Sequence, residues 1–248
     1  MENVRVIPVL LLKGMGLYKS IKFKDHKYVG DPINAIKIFN EKEVDELVFL
    51  DITATVEGRE PNYDMLTDIA SECFMPLCYG GGIKSLSQIE KILYCGVEKV
   101  SLNSQAFENP KLIAEASEKF GSSTIVVSMD VKKGFLSGQN VYTMAGTKNT
   151  KKSPVDYAKQ IEDLGAGEIL LNSIDQDGVM NGYDLDLVHA ISSNVSIPVI
   201  ACGGAGAVQH FKDAVNKGAS AVAAGSFFVF QGKHRAVLIT YPSKKELI

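Results

Sequence analysis

Pro76-Leu77-Cys78-Tyr79-Gly80-Gly81-Gly82 and Pro198-Val199-Ile200-Ala201-Cys202-Gly203-Gly204 repeat one pattern 122 residues apart: a short apolar run closed by glycines. The register holds without a gap through Gly96 and Gly218 and Val100 and Val222, to Ser104 and Ser226, which are expected to close the next strand of each copy. Upstream it pairs Pro32 with Pro154, Lys37 with Lys159, Glu46 with Glu168 and Ile52 with Ile174. Self-similarity at a fixed offset marks a duplication, and this period is far too long for a solenoid. The duplicated unit is half a domain.

Around that repeat, short apolar runs alternate with amphipathic stretches. The strand-like runs are Arg5 to Leu12, Glu46 to Thr53, Met75 to Tyr79, Lys99 to Asn103, Thr124 to Val131, Glu168 to Ile174, Ile197 to Cys202 and Ala221 to Ala224. Their near-continuous apolar content suits parallel strands covered on both faces. Asp31-Pro32, Asn109-Pro110 and Ser153-Pro154 each put an N-cap side chain before a proline at the first helical position. Eight units with twofold similarity predict a (β/α)8 barrel over residues 1–248 as one domain, with ligands at the carboxyl ends of the strands. An open doubly wound sheet is the alternative.

The chain has 248 residues, 46% of them hydrophobic, and a formal net charge of −3. That is enough for a full core, and it offers no bulk attraction to nucleic acid or an anionic membrane. The four cysteines, Cys73, Cys78, Cys95 and Cys202, have no CxxC spacing and read as reduced, buried thiols of a cytoplasmic protein. No apolar run is long enough to span a bilayer, and Arg5 interrupts the short apolar start, so no signal peptide is expected. The histidines show no ligand spacing, so no metal and no cofactor are expected.

In a barrel, Gly81-Gly82 and Gly203-Gly204 end the third and seventh strands, with Ser104 and Gly225-Ser226 after the fourth and eighth. Glycines there let backbone N–H groups approach an oxyanion, which implies a ligand with two phosphates; alternatively they only relieve crowding at strand ends. Asp130 ends the fifth strand and would project into the mouth between these sites as a general acid or base. Aligning the Lys132 and Lys13 motifs puts Leu11 at the equivalent position of the first strand, where no proton can be moved. Asp51, Asp175 and Asp177 stand at other strand ends and either assist catalysis or cap turns.

Charged residues begin four strands: Arg5, Glu46, Lys99 and Glu168. They could close the barrel floor as a compensated ring, which on that face would by default be a stabilising plug. Two longer loops are expected. Lys13 to Gly30 contains Lys19, Lys22, Lys24 and Lys27 and reads as a cationic lid or a solvated loop; Lys132 to Gly146 reads as a polar excursion or hairpin. His234 to Pro242 reads as strand, which leaves the last helix short or replaced.

From about Arg5 to Phe230 the chain resembles the cyclase subunit of imidazole glycerol phosphate synthase. The matching motifs are Gly30-Asp31-Pro32, Asp45 to Thr53, Gly80-Gly81-Gly82-Ile83, Gly165 to Leu171 and Gly203-Gly204-Ala205-Gly206. The resemblance implies a duplicated half-barrel fold and ammonia supplied by a glutaminase docked on the floor. It further implies that a bisphosphorylated aminoimidazole carboxamide ribonucleotide is cleaved and one fragment cyclised. It places Gly82, Asn103, Ser104, Asp177, Gly204 and Ser226 at substrate or phosphate positions, Lys19 on a mobile loop, and Asp130 at one catalytic carboxylate. Arg5, Glu46, Lys99 and Glu168 match the ammonia gate, and Glu98 a contact with the partner.

The family's other catalytic carboxylate corresponds to Leu11, a sixth-strand threonine is replaced by Asn172, and the C-terminus is shorter. These departures resemble second copies of the subunit found beside surface-polysaccharide genes, which are thought to feed ammonia to a sugar amidotransferase. Two functions are therefore expected to compete: an ammonia-handling barrel, or a working cyclase and lyase of histidine biosynthesis. An isomerase from the same lineage is a third and weaker reading, since it also needs both carboxylates.

Overall fold

The computed structural model describes residues 4–134 and 138–247. Eight parallel strands form a closed barrel: Arg5–Lys13, Leu47–Asp51, Leu77–Gly80, Lys99–Leu102, Ile125–Lys133, Glu168–Ser173, Val199–Cys202 and Ala221–Ala224. Each pairs with the next, and Ala221–Ala224 pairs back onto the first strand with Arg5 opposite Ala221. That last pairing excludes the open sheet.

Side-chain alternation along the strands builds two cores. Ile7, Val9, Val48, Cys78, Val126, Leu170, Ile200, Cys202, Ala221 and Ala223 fill the barrel interior. Val6, Leu10, Leu12, Leu47, Phe49, Val127 and Leu171 face outward against the helices. Asp31 and Ser153 cap their helices as expected, accepting from the N–H groups of Asn34 and Asp156 with proline following each cap. Asn109 does not cap one. It ends the short helix Ser104–Glu108, and the next helix, Lys111–Phe120, has no side-chain cap.

The duplication is visible as matched crowding. A Cβ on Gly81 would lie 2.4 Å from Asp51 O, and one on Gly203 2.7 Å from Ser173 O, the position 122 residues after Asp51. Gly82 and Gly204 repeat the relation against the Cβ atoms of Ala54 and Gln176, each at 3.0 Å. All four glycines have positive φ, so both backbone conformation and space demand glycine here. Ser104 and Ser226 do not close strands. Each opens a short helix just beyond one.

The segment read as a lysine-rich loop is a hairpin. The first strand extends to pair with Gly16–Ile21, which pairs in turn with Lys24–Gly30. Its tip turns at Lys22 and Phe23, both at positive φ, a two-residue geometry normally written with Asn-Gly. The second excursion is a hairpin too, Ile125–Lys133 against Gln139–Thr143; residues 135–137 lie outside the described residues.

In place of a long last helix, Ser226–Val229 is a short helix followed by Phe230–Gln231 pairing with Ala236–Val237, the one stretch of His234 to Pro242 that is strand as expected, and a last short helix runs Lys244–Leu247. All four cysteines are unpaired; Cys78 and Cys202 are buried as expected, whereas Cys73 and Cys95, at helix ends, are only half-buried. Among the described residues no helix is long and apolar enough to cross a membrane, and no cluster of His, Cys, Asp or Glu is arranged to hold a metal ion.

Candidate functional site

One cavity of about 370 Å³ opens at the carboxyl ends of the strands. Lys19, Gly82, Asn103, Ser104, Asp130, Asp177, Gly203, Gly204, Gly225 and Ser226, scattered through the sequence, all line it. Leu11, Leu50, Leu170 and Cys202 supply its apolar wall.

Asp130 is 8% exposed and sits on the inner face of the fifth strand. Asn103 Nδ2 donates to Asp130 Oδ2 at 3.1 Å and also binds Ser128 O at 2.9 Å. Asn172 stands beside Asp130 on the sixth strand and favours its ionised form. Burial, reinforced by the nearby Asp177 charge, pushes the Asp130 carboxyl up to about 7, against the opposing pull of both asparagines. An acid held there gives or takes a proton near neutrality. Asn172 Oδ1 is buried with no hydrogen-bond partner, an unused acceptor beside the acid.

Leu11 faces this cavity from the first strand, which lies opposite the fifth in the closed order. Among the described residues no other carboxylate has moved into its place with both oxygens free. Asp51 Oδ1 accepts from the N–H groups of Thr53 and Ala54, both at 3.0 Å, and its carboxylate meets Arg59 at 3.4 Å. Asp175 leaves the mouth to accept from Lys133 N–H at 2.8 Å. Asp177 is the exception in part: Ser20 Oγ donates to it at 3.0 Å, but it still lines the cavity, and burial raises its carboxyl.

The hairpin lies across the mouth. Lys22 N–H donates to Asp177 O at 2.9 Å, and the Phe23 ring packs where a side chain on Gly146 would stand. Of its lysines, Lys22 and Lys24 are exposed, Lys27 places its Nζ 5.2 Å from the centroid of the Phe230 ring, Lys13 stands exposed at the rim of the cavity, and Lys19 is the one buried in it. This corrects the image of a cationic lid, because strand alternation turns one lysine inward. Lys19 Nζ donates to Val9 O beside the Cα of Gly225, and burial lowers it to about 8. It is still largely a cation at neutral pH.

Some expected anion contacts are already engaged. Gly82 N–H donates to Thr55 Oγ1 at 3.1 Å, and Ser104 Oγ accepts from Met144 N–H at 2.9 Å. A ligand would have to displace these or bind beside them. Thr55, Met144 and Phe23 carried no signal in the sequence, because hairpin and loop residues reach the cavity only through tertiary packing.

At the opposite end, Arg5, Glu46, Lys99 and Glu168 do form one ring. Arg5 binds Glu46 at 2.5 Å and Glu168 at 2.6 Å, while Lys99 binds the same two carboxylates at 3.1 and 3.2 Å. Glu46 Oε1 remains buried without a partner. Two residues above Lys99 on its strand, Ser101 Oγ is likewise unpaired and Ser101 lines the mouth cavity. Glu98, the expected partner contact, accepts from Leu77 N–H at 3.0 Å.

Residues 5–235 match the family model described as histidine biosynthesis protein. A Pseudomonas aeruginosa relative with the provisional name imidazole glycerol phosphate synthase subunit hisF2 is 57% identical, covering 100% of this chain and 99% of its own length. A Vibrio vulnificus relative, provisionally subunit hisF3 of the same synthase, is 54% identical over 99% of this chain and 95% of its own. Imidazole glycerol phosphate synthase subunit HisF of Thermobifida fusca is 42% identical over 92% of this chain and 91% of its own.

Proposed function

The chain belongs to the histidine biosynthesis protein family, in its imidazole glycerol phosphate synthase cyclase-subunit branch, and we propose that it works as an ammonia-receiving barrel. In this reading a glutaminase docks on the floor, and ammonia passes the ring of Arg5, Glu46, Lys99 and Glu168. An amidotransferase that modifies a sugar in surface-polysaccharide synthesis then takes it up. The word "subunit" in the relatives' names supports a partner, and the numerals in hisF2 and hisF3 support additional copies with a separate role.

The observation that carries the proposal is Leu11 across the mouth from Asp130 with Asp51 tied down by Thr53, Ala54 and Arg59. One proton donor is gone, and removal of such a group costs about a hundredfold to ten-thousandfold in rate. The floor, in contrast, has all four charges, and the unpaired Glu46 Oε1 and Ser101 Oγ offer hydrogen bonds to a small polar molecule on its way inward. The unpaired thiols suit a reducing, cytoplasmic setting.

A second reading, a working cyclase and lyase for histidine biosynthesis, is favoured by the raised carboxyls of Asp130 and Asp177 in one cavity. The glycine ends and Lys19 would then hold a doubly phosphorylated substrate. Ammonium salt supplied with the bisphosphorylated intermediate separates the two, because the glutaminase cannot then limit the result. The conduit reading expects no appreciable imidazole glycerol phosphate, and turnover at a metabolic rate would overturn it.

A further inference from the structure

Tyr241 returns from the far end of the chain to the barrel floor. Beyond the eighth strand the tail is held by a few backbone bonds, Leu238 N–H to Val229 O and Thr240 N–H to Phe228 O, both at 2.9 Å. The Tyr241 ring then stacks on Phe228, with centroids 5.4 Å apart and planes 19° from parallel. Its hydroxyl donates to Val6 O at 2.8 Å and lies 3.5 Å from Asp45 Oδ2.

Asp45 Oδ2 also accepts from Val6 N–H at 2.8 Å. The Val6 peptide groups are therefore held from both sides, the carbonyl by Tyr241 and the N–H by Asp45. The chain neighbours of these residues are Arg5 and Glu46, which make the shortest ion pair of the floor ring at 2.5 Å. We propose that Tyr241 is a positioning residue for the ring, and that the C-terminal segment is a latch whose state is coupled to docking of a glutaminase on the floor. The docking half rests on the function proposed above; the positioning half does not.

Charge-assisted bonds of this length depend on placement within tenths of an ångström, so a shift of the Val6 backbone is felt directly at the Arg5 guanidinium. Val237 and Leu238 are 42% and 59% exposed while Ile239 and Tyr241 pack against the core, so opening the segment breaks the tail's own contacts and costs less than unfolding the barrel. A latched floor is also preorganised for a partner, which lowers the ordering cost of binding. Coupling of this kind is reciprocal: whatever factor the latch contributes to docking, docking contributes to the latch.

Tyr241→Phe keeps the ring on Phe228 and deletes only the hydroxyl. In the free barrel we expect amide hydrogen exchange at residues 4–8 and 45–48 to quicken at least about tenfold, with the fifth strand, opposite the first, unchanged at 126–130. Titrated with the glutaminase, Tyr241→Phe should show a Kd raised at least about fivefold, and docking on the wild-type barrel should slow exchange at 236–242 by a comparable factor. A tyrosine that served only the local stability of the tail would leave that Kd alone. Unchanged exchange at 4–8 in the variant overturns the positioning role. An equal Kd for variant and wild type, with tail exchange unmoved by docking, overturns the coupling. If the wild-type barrel binds no glutaminase at all, the functional reading and the coupling fall together, and the free-barrel exchange still decides the positioning role.

Discussion

Leu11 and Asp130 face one another across the mouth, the first from strand one and the second from strand five of a closed eight-strand barrel. Substituting Leu11→Asp sets a carboxylate in an otherwise apolar wall, opposite an acid already poised near neutrality. We expect imidazole glycerol phosphate formation with ammonium salt to rise at least about tenfold, the lower end of what one acid–base group supplies. A variant that folds and shows no gain would mean that the rest of the mouth no longer positions the substrate.

Asp130 also makes the protein's stability fall with pH. Its carboxyl stands at about 7 in the fold against the ordinary 3.8 of an exposed aspartate, so between those values the native state keeps a proton the unfolded chain has lost. Stability from this group is therefore fully present below about 4 and lost as pH rises through 7. Asp130→Asn mimics the protonated acid, and Asn172 can turn its unused Oδ1 to meet the new amide. Urea unfolding should find the variant more stable than wild type by roughly 4 kcal/mol at pH 8, with the gap closing by pH 4. A gap independent of pH would show that Asp130 is ionised throughout.

The barrel was legible because duplicated glycines mark backbone positions that no other residue can take. Gly81 and Gly203 would each drive a Cβ into a carbonyl of the preceding strand, so the sequence records the fold at those points. The ring was legible from charges at strand starts. The hairpin over the mouth was not, because its turn is built from Lys22 and Phe23 at positive φ, residues with no turn preference. Nor could the sequence say which carboxylate caps a turn: Asp51 is committed by Thr53, Ala54 and Arg59, contacts that exist only once the loop is folded. The tail's role as a floor contact depends on one hydroxyl reaching Val6, 235 residues away.

Phe74 and Tyr94 are 83% and 86% exposed on the floor side, Phe74 in the connection leading into the third strand and Tyr94 as the last residue of the helix Leu86–Tyr94 that precedes the fourth. Asn40 Oδ1 accepts from Phe74 N–H at 3.1 Å and so fixes where that ring is presented. Exposed aromatics held by the backbone are suited to anchor a partner. Phe74→Ala and Tyr94→Ala should each raise the Kd for the glutaminase about tenfold in a titration while leaving the unfolding midpoint in place. Unaltered affinity in both would move the docking face elsewhere.

Glu46 and Glu168 are repeat equivalents that share the same two cations, and this fixes what loss of one cation does. Glu46 is 2% exposed and one of its oxygens is already unpaired, so Arg5→Ala leaves a buried carboxylate with Lys99 as its one remaining cation. Breaking a buried pair by removing one partner costs about 3–5 kcal/mol, whereas an exposed pair contributes about 1 kcal/mol or less. Guanidinium unfolding carries its own salt, so urea is the denaturant to use. We expect a loss near 3 kcal/mol at pH 7 that persists in about 0.5 M NaCl, because ions screen buried charges poorly. A loss below about 1 kcal/mol that vanishes in salt would mean the ring stands open to water rather than closing the floor.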